Sequence, residues 1–368
     1  MAMGGRESRV GAACCIAMLV AAPLTAQSIA PDTTGRIIYQ DLRFGSQANF
    51  SPVTVLLNKG FDYFQSKNAL RTFWDFPFRN AIKNGALDAL ARPRAAIERA
   101  PGWGRWLETE VLPLRFNSTD AAWAANYTEH LLGGGLTYRM LGEWYAVRRM
   151  PAPRLLAGLT TFSAAILNEA VEHPYSQHAA SSSVADLYVF DLGGILLFNW
   201  DPLVRFFGGT LQMTDWSNQA SFTLPDRQLE NTGQYYIMKF PLPLHDTRLF
   251  LRGGMGVQIG LSRRVSREHS ITFALGEDTE VRHVDPVTLH ESIHMKLGGG
   301  IYVDRRNSLL ASLSAGPAIN RVTLNVYPGV LPGLARDVGV WTAYTRDYRV
   351  IAGVSYRRAL GLGLGYGR

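Results

Sequence analysis

The chain has 368 residues, of which 47% are hydrophobic and only 18% charged, with 37 Lys and Arg against 30 Asp and Glu. That composition excludes a disordered or highly charged chain, and the mean hydropathy of -0.02 lies far below that of a polytopic helical membrane protein. A middling value together with 36 Gly suits a membrane β-barrel, in which only alternate residues of each strand need to be apolar.

Taken in order, the chain opens with Arg6 and Arg9, an apolar run from Val10 to Ala22, and Leu24-Thr25-Ala26 ahead of Gln27. This succession of positive, apolar and small-residue regions predicts a secretory signal peptide over 1–26. A retained anchor helix is the other reading, but the run is short for a span and is broken by Pro23. Both cysteines, Cys14 and Cys15, fall inside the signal. The exported chain then offers no thiol for a disulfide, a Cys-ligated zinc or a nucleophile. Without Arg6, Glu7 and Arg9 the formal charge falls from +7 to about +6, carried mostly by scattered arginines. That is not a nucleic-acid stripe; arginines lining a barrel or meeting lipid phosphate account for them equally well. Export without cysteine points to the periplasm or outer membrane of a diderm bacterium.

From about 53 to 200 the apolar residues recur at helical spacing, so 27–205 reads as a helical domain. Phe78 to Ile97 forms one helix, disturbed by Pro93. Asp120 is a natural N-cap for a helix through Arg149, ended by Pro151. A second runs from about Pro153 to His173, and a third from after Ser181-Ser182-Ser183 to about Phe198. These helices carry Glu129, His130, Arg139, Glu143, Glu169, Glu172, His173, Asp186 and Asp191, charges that are expensive to bury unpaired. They are therefore not read as free membrane spans.

After residue 205 the period switches from 3.6 to 2. Leu249, Leu251, Met255, Val257, Ile259 and Leu261 alternate with Arg252, Gly254, Gly256, Gln258, Gly260 and Ser262. The same alternation predicts strands near 210–217, 233–240, 248–263, 268–276, 290–304, 308–315, 320–327, 338–346, 348–357 and 359–367. A soluble sandwich would bury the apolar face, whereas a membrane barrel would turn it to lipid. The opposite face is rich in Gly and poor in Lys and Glu, which favours a small barrel with a narrow polar interior. Trp216, Tyr235, Tyr327, Trp341 and Tyr356 are expected at the headgroup girdles.

The stretch Asn126 to Gly194 contains Asn126-x-x-x-His130, Gly134-Gly135, Tyr138-Arg139, Gly142, Asn168-Glu169, Glu172, Ser183-x-x-Asp186 and Gly193-Gly194. It resembles an uncharacterised family of bacterial outer-membrane proteins in which a helical unit with such a series precedes a β-rich half. The resemblance covers about 70 of the 368 residues. Here Asn168 replaces the aromatic before the Glu, and the Arg directly follows Tyr138. The resemblance implies the architecture and no activity. Gly361, Leu364 and Tyr366 also resemble the ending that outer-membrane barrels present to their assembly machinery.

Two constellations carry chemistry. His130, Arg139, Glu169, Glu172, His173 and Asp186 lie on three successive helices whose ends can meet as a polar cluster. One reading is structural, with Arg139 bridging Glu169 and Asp186, and Asp186 also capping its helix after Ser183. The sharper one is a metal or proton-handling site from His130, Glu169, Glu172, His173 and Asp186. The second constellation is His290 and Ser292, which share a strand face. Outer-membrane phospholipases and lipid A deacylases look similar in pairing His and Ser at this spacing, and an imidazole there would activate the Ser for attack on an ester. Against it, the face continues through Lys296, Gly298 and Gly300 into the barrel, and Ile293-His294 replaces the usual Asn-Gly.

Together these readings predict an α+β protein, with a helical domain followed by an antiparallel transmembrane β-barrel over 206–368 of about ten strands, within a range of eight to twelve. The helices are expected to cap or plug the barrel. The expected role is a structural or assembly component of the envelope, with outer-membrane lipid, the barrel-assembly machinery and an envelope complex as partners. No cofactor, metal or nucleic acid is expected. The alternatives are a lipid-ester hydrolase using Ser292 and His290, and a plugged channel for small solutes.

Overall fold

The first long helix is started by local chemistry. Ser51 Oγ accepts the Thr54 N–H at 3.2 Å, Thr54 Oγ1 accepts the Ser51 N–H at 2.8 Å, and Pro52 takes the first helical position. The structure is a computed structural model, and it describes residues 36–65, 73–99, 102–112, 125–172, 180–224, 227–284, 291–316, 320–357 and 362–367. The signal peptide, Asp120, His173 and His290 lie outside the described residues.

Helix α1 spans Pro52–Gly60. Helical pieces follow at Phe78–Ala81, Ile82–Leu87 and Asp88–Ala91, joined end to end. Arg92 then leaves the helical region (φ -140°, ψ 52°), because Pro93 disfavours it there, and Pro93 opens a new helix to Arg99. A widened π-helical turn, α2 (Ala125–Gly133), continues as α3 (Gly134–Val147). Helix α4 is Pro153–Glu172, and α5 (Ala180–Val184), π-helical α6 (Ala185–Asp191) and α7 (Leu192–Phe198) form one continuous rod. That rod is long and apolar enough to cross a membrane, yet 56% of its apolar window is buried within the structure. It is the core helix of the helical layer.

Glycine decides how closely these helices cross. A Cβ on Gly194 would stand 2.4 Å from the Leu131 carbonyl oxygen and 2.9 Å from Gly135 N, so α7 and the α2–α3 helix touch backbone to backbone. The paired glycines thus serve close packing.

The strands are β1 (Thr214–Asp215), β2 (Ser221–Leu224), β3 (Leu229–Glu230), β4 (Tyr235–Pro241), β5 (Thr247–Gly254), β6 (Gly256–Arg264), β7 (His269–Val284), β8 (Glu291–Arg305), β9 (Ser308–Ala315), β10 (Asn320–Val326), β11 (Val338–Thr345), β12 (Val350–Tyr356) and β13 (Gly363–Gly367). They form one sheet in the order β1-β4-β5-β6-β7-β8-β9-β10-β11-β12-β13-β2-β3. All neighbours are antiparallel except β13 and β2, which run parallel from Gly363↔Ser221 to Tyr366↔Leu224. The ladder does not close, and its ends are β1 and β3. Both ends belong to one stretch of chain: Trp216 N donates to Tyr235 O and Asn218 N to Gly233 O, extending the β1–β4 pairing toward the β2–β3 hairpin.

Thirteen strands exceed the expected ten. The predicted strand over 248–263 is the hairpin of β5 and β6, which turns at Met255, where Gly254 takes φ 125°. Its pairing sets Leu249 against Leu261 and Leu251 against Ile259. A hairpin with a single residue at its apex keeps the alternation in phase through the turn, so it reads as one strand. The short β2 and β3 have too few residues to show a period.

The sheet's two faces are inverted relative to a water-soluble protein. Leu297 and Leu275 are 77% and 68% exposed, whereas Gln258 and Thr272 are 0% exposed. Ile259, Leu261, Phe273, Leu313, Val350, Val354, Leu364 and Tyr366 share the exposed face. On the inward face the sheet curls far enough for Trp216, Ile237, Phe250, Ala274, Tyr302, Leu309 and Tyr327 to form one cluster. Lys239 on β4 reaches Asp304 on β8 at 2.7 Å. Four of the five expected girdle aromatics are therefore misplaced by the sequence reading. Trp216, Tyr327 and Trp341 are buried inside, and Tyr235 lies under the Arg252 guanidinium at 3.4 Å, leaving Tyr356 exposed.

The helices expected to cap or plug the barrel do neither among the described residues. The helices pack on the outward face: Tyr236 and Met238 of β4, with Phe240 and Leu251, join the core of α1, α3 and α4. Phe73 and Trp74 pack edge-on against Phe222 of β2. The short segment around Ser46–Asn49 lies across one end of the sheet instead. Gln47 N donates to Ser308 Oγ, Ser308 Oγ donates to Phe44 O, and Asn49 Nδ2 donates to Ser355 Oγ.

Candidate functional site

Three charged groups on widened helical turns anchor the site. His130 sits on α2, and Asp186 and Asp191 sit on α6, about one π-helical turn apart. Glu169 faces them from the last turns of α4, beside Asn168, whose Nδ2 donates to Asp62 Oδ1 and Lys59 O. π-Helical turns recur at functional positions because the extra residue re-aims side chains. All of these groups are buried.

The cluster has two halves. In the first, Lys59 Nζ lies 2.9 Å from Asp191 Oδ1, and His130 Nδ1 lies 3.1 Å from Asp191 Oδ2. Burial opposes the charge on each of the three, but mutual attraction wins. Lys59 is held above its ordinary pKa by Asp191, His130 well above its own by Asp186 and Asp191, and Asp191 below its own by Lys59 and His130.

In the second half, one ligand atom each from His130, Glu169 and Asp186 lies within 4.8 Å of the others. Neither oxygen of Glu169 makes a hydrogen bond, and neither does Asp186 Oδ1, while Asp186 Oδ2 accepts only a 3.5 Å bond from Ser182. The Ser183 hydroxyl stands beside the Glu169 carboxyl, close enough to lower its pKa but short of hydrogen-bond geometry. Burial, with Asp186 and Glu172 adding repulsion, pushes the Glu169 carboxyl well above the carboxylate range despite His130. Burial likewise pushes Asp186 up to about 7, against the pull of His130.

The structure thus brings His130, Glu169 and Asp186 together, with Glu172 near enough to act on both carboxyls. His173 lies outside the described residues. Arg139 does not bridge Glu169 and Asp186. It points to the other side of α3, pairing with Glu143 at 2.8 Å and Asp201 at 2.5 Å. Glu143 in turn accepts the N–H groups of Ile37, Ile38 and Tyr39, fixing the strand of chain that leads to Ser46–Asn49. Nor does Asp186 cap a helix, since it lies inside the rod that begins at Ala180. Lys59 was invisible to sequence reasoning: it is a lone cation on α1, far away in the chain, with no spacing that ties it to Asp191.

Ser292 is described only as a backbone position of β8, opposite His283. With His290 outside the described residues, the pair has no described side-chain geometry. No family model, no curated protein and no solved structure matches this chain.

Proposed function

We propose that this chain is an outer-membrane β-barrel protein with a helical layer against one flank, acting as a structural or assembly component of the bacterial envelope. The observation that carries the reading is the inversion of the sheet's faces. Leucines, isoleucines and aromatics of β6 to β13 are exposed, while alternate polar residues are buried. In water, a bare apolar face of that extent is an aggregation hazard; in a bilayer it is the ordinary condition of a strand. The single stretch of chain that supplies both ladder ends supports closure, because closed pairing leaves no strand edge in lipid.

The helices are not read as spans. Exposed Leu155, Leu159, Leu196, Leu197, Trp200 and Phe206 extend the apolar surface onto the helical layer, which supports a position against the membrane boundary. The rings packed inside the sheet and the segment across its end favour a filled barrel over an open channel. Carbonate extraction of membranes, with a heat-modifiability gel on the folded protein, tests the reading. Retention in the membrane pellet and a mobility shift on boiling are expected. Release into the supernatant with no shift would overturn it.

A further inference from the structure

Glu169 is 0% exposed, yet neither of its carboxylate oxygens has a hydrogen-bond partner. A buried carboxyl in that state is costly unless something neutralises it. The groups it faces are an imidazole and a second carboxyl with a free oxygen, all within reach of one point. We infer that His130, Glu169 and Asp186 bind one divalent transition cation, Zn2+ or Mn2+, with Asp191 positioning the imidazole.

The donor set fits such an ion. Because Nδ1 of His130 is committed to Asp191, Nε2 is the nitrogen left to ligate. A carboxylate on the far ring nitrogen fixes tautomer and orientation, as in the carboxylate–histidine–metal arrangement of protein zinc sites. Charge balances as well: Lys59 and Asp191 neutralise one another, so Glu169 and Asp186 together supply two negative charges for a doubly charged ion. Bonds of about 2.0–2.2 Å place ligand atoms roughly 3–4 Å apart, so closing from the present 4.8 Å span asks for small side-chain movements. One imidazole with two carboxylates suits Zn2+ or Mn2+; Ca2+ demands about six to eight oxygens. Three protein ligands leave a coordination position, and the unpartnered Ser183 hydroxyl beside Glu169 is a neutral group close to it.

The inference rests on the helical layer alone and stands apart from the membrane reading. Its test uses the full-length exported chain, purified folded and stripped with chelator, then titrated with Zn2+ and separately with Mn2+ by calorimetry, with bound metal counted by elemental analysis. One equivalent of either ion is expected on the wild type. Glu169→Gln keeps the size of the side chain, removes its charge, and should lower affinity on the order of 100-fold or more while the circular dichroism spectrum stays unchanged. Asp191→Asn should lower it about 10–100-fold, through the imidazole. His269→Asn, at the start of β7 and outside the helical layer, should bind as the wild type does. Absence of both ions from the wild type, or undiminished binding by folded Glu169→Gln, would overturn the inference.

Discussion

Lys59 Nζ lies 2.9 Å from Asp191 Oδ1, with both side chains removed from water, and the second oxygen of the same carboxylate holds His130. One carboxylate therefore couples α1, α2 and the α5–α7 rod. Replacing Lys59 by Met leaves Asp191 charged and half-paired in the interior, a loss expected to cost about 3–5 kcal/mol. Chemical denaturation of Lys59→Met against wild type measures it. The double variant Lys59→Met with Asp191→Leu should recover part of the loss.

Glu169→Gln is expected to act in the opposite direction on the metal-free protein. It removes a buried ionisable group that has no hydrogen-bond partner, and at pH 8 in chelator it should stabilise by about 1 kcal/mol. Added Zn2+ should reverse the order, stabilising wild type alone. A variant less stable than wild type in chelator would show that the Glu169 carboxyl is satisfied.

In chelator, stability should fall as pH rises from about 4 to 8. Asp186 titrates near 7 in the fold against 3.8 when exposed, Glu169 is also raised, and His130 is raised above 6.5, so the folded state holds more protons throughout that window. The His130 contribution is present below 6.5 and is lost as pH climbs through its folded value; the carboxyl contributions are lost above their exposed values. Lys59 from α1, Glu129 from α2, Glu172 from α4, Asp191 from α6 and Glu110 from the Leu107–Val111 turn are the other charges facing the group. Melting temperatures across this range, for wild type and Asp186→Asn, check it: the variant should have the shallower slope.

Gly194→Ala should destabilise by roughly 1–3 kcal/mol, because the new methyl would meet the Leu131 carbonyl oxygen and Gly135 N at 2.4 and 2.9 Å. Both are backbone atoms and can move only with their helices. Gly209→Ala, with nothing within 4 Å, is the matched control and should change little. Equal unfolding midpoints for the two variants would mean that the helices do not cross at these glycines.

Leu297→Arg separates the bilayer from water. At a water-exposed position the change is nearly neutral, whereas on a lipid-facing strand it should cost about 2–4 kcal/mol near the bilayer midplane. Equilibrium folding into vesicles reads the difference directly. A neutral outcome would remove the outward face of β8 from lipid.

Two helices were legible from local signals, Pro153 at the start of one and the apolar period of Ala180–Phe198 in the other, whereas the single helix expected over Phe78–Ile97 is broken at Arg92, before Pro93. The outward face of the longer strands was legible too, since Leu297 and Leu275 fall on the exposed side that alternation in a membrane barrel assigns them. What was not legible depends on contacts distant in sequence. Arg139 takes Asp201 and Glu143 rather than the acids of α4 and α6 because rotation about α3 turns it away from them. Trp216 and Trp341 turn inward because the curled sheet leaves room there for rings, which no local pattern records. His130, Glu169 and Asp186 could be nominated from three helices, but not the Lys59 and Asp191 pair beneath them.

Among the described residues the helical layer covers β2 to β5, while the outward face from β6 to β13 is bare. In the bilayer proposed above, such a molecule would have a front and a back within the membrane plane. Acyl chains would then wet one flank only, so neighbours in a crowded leaflet would meet different chemistry according to the direction of approach, and packing between copies would have a handed orientation.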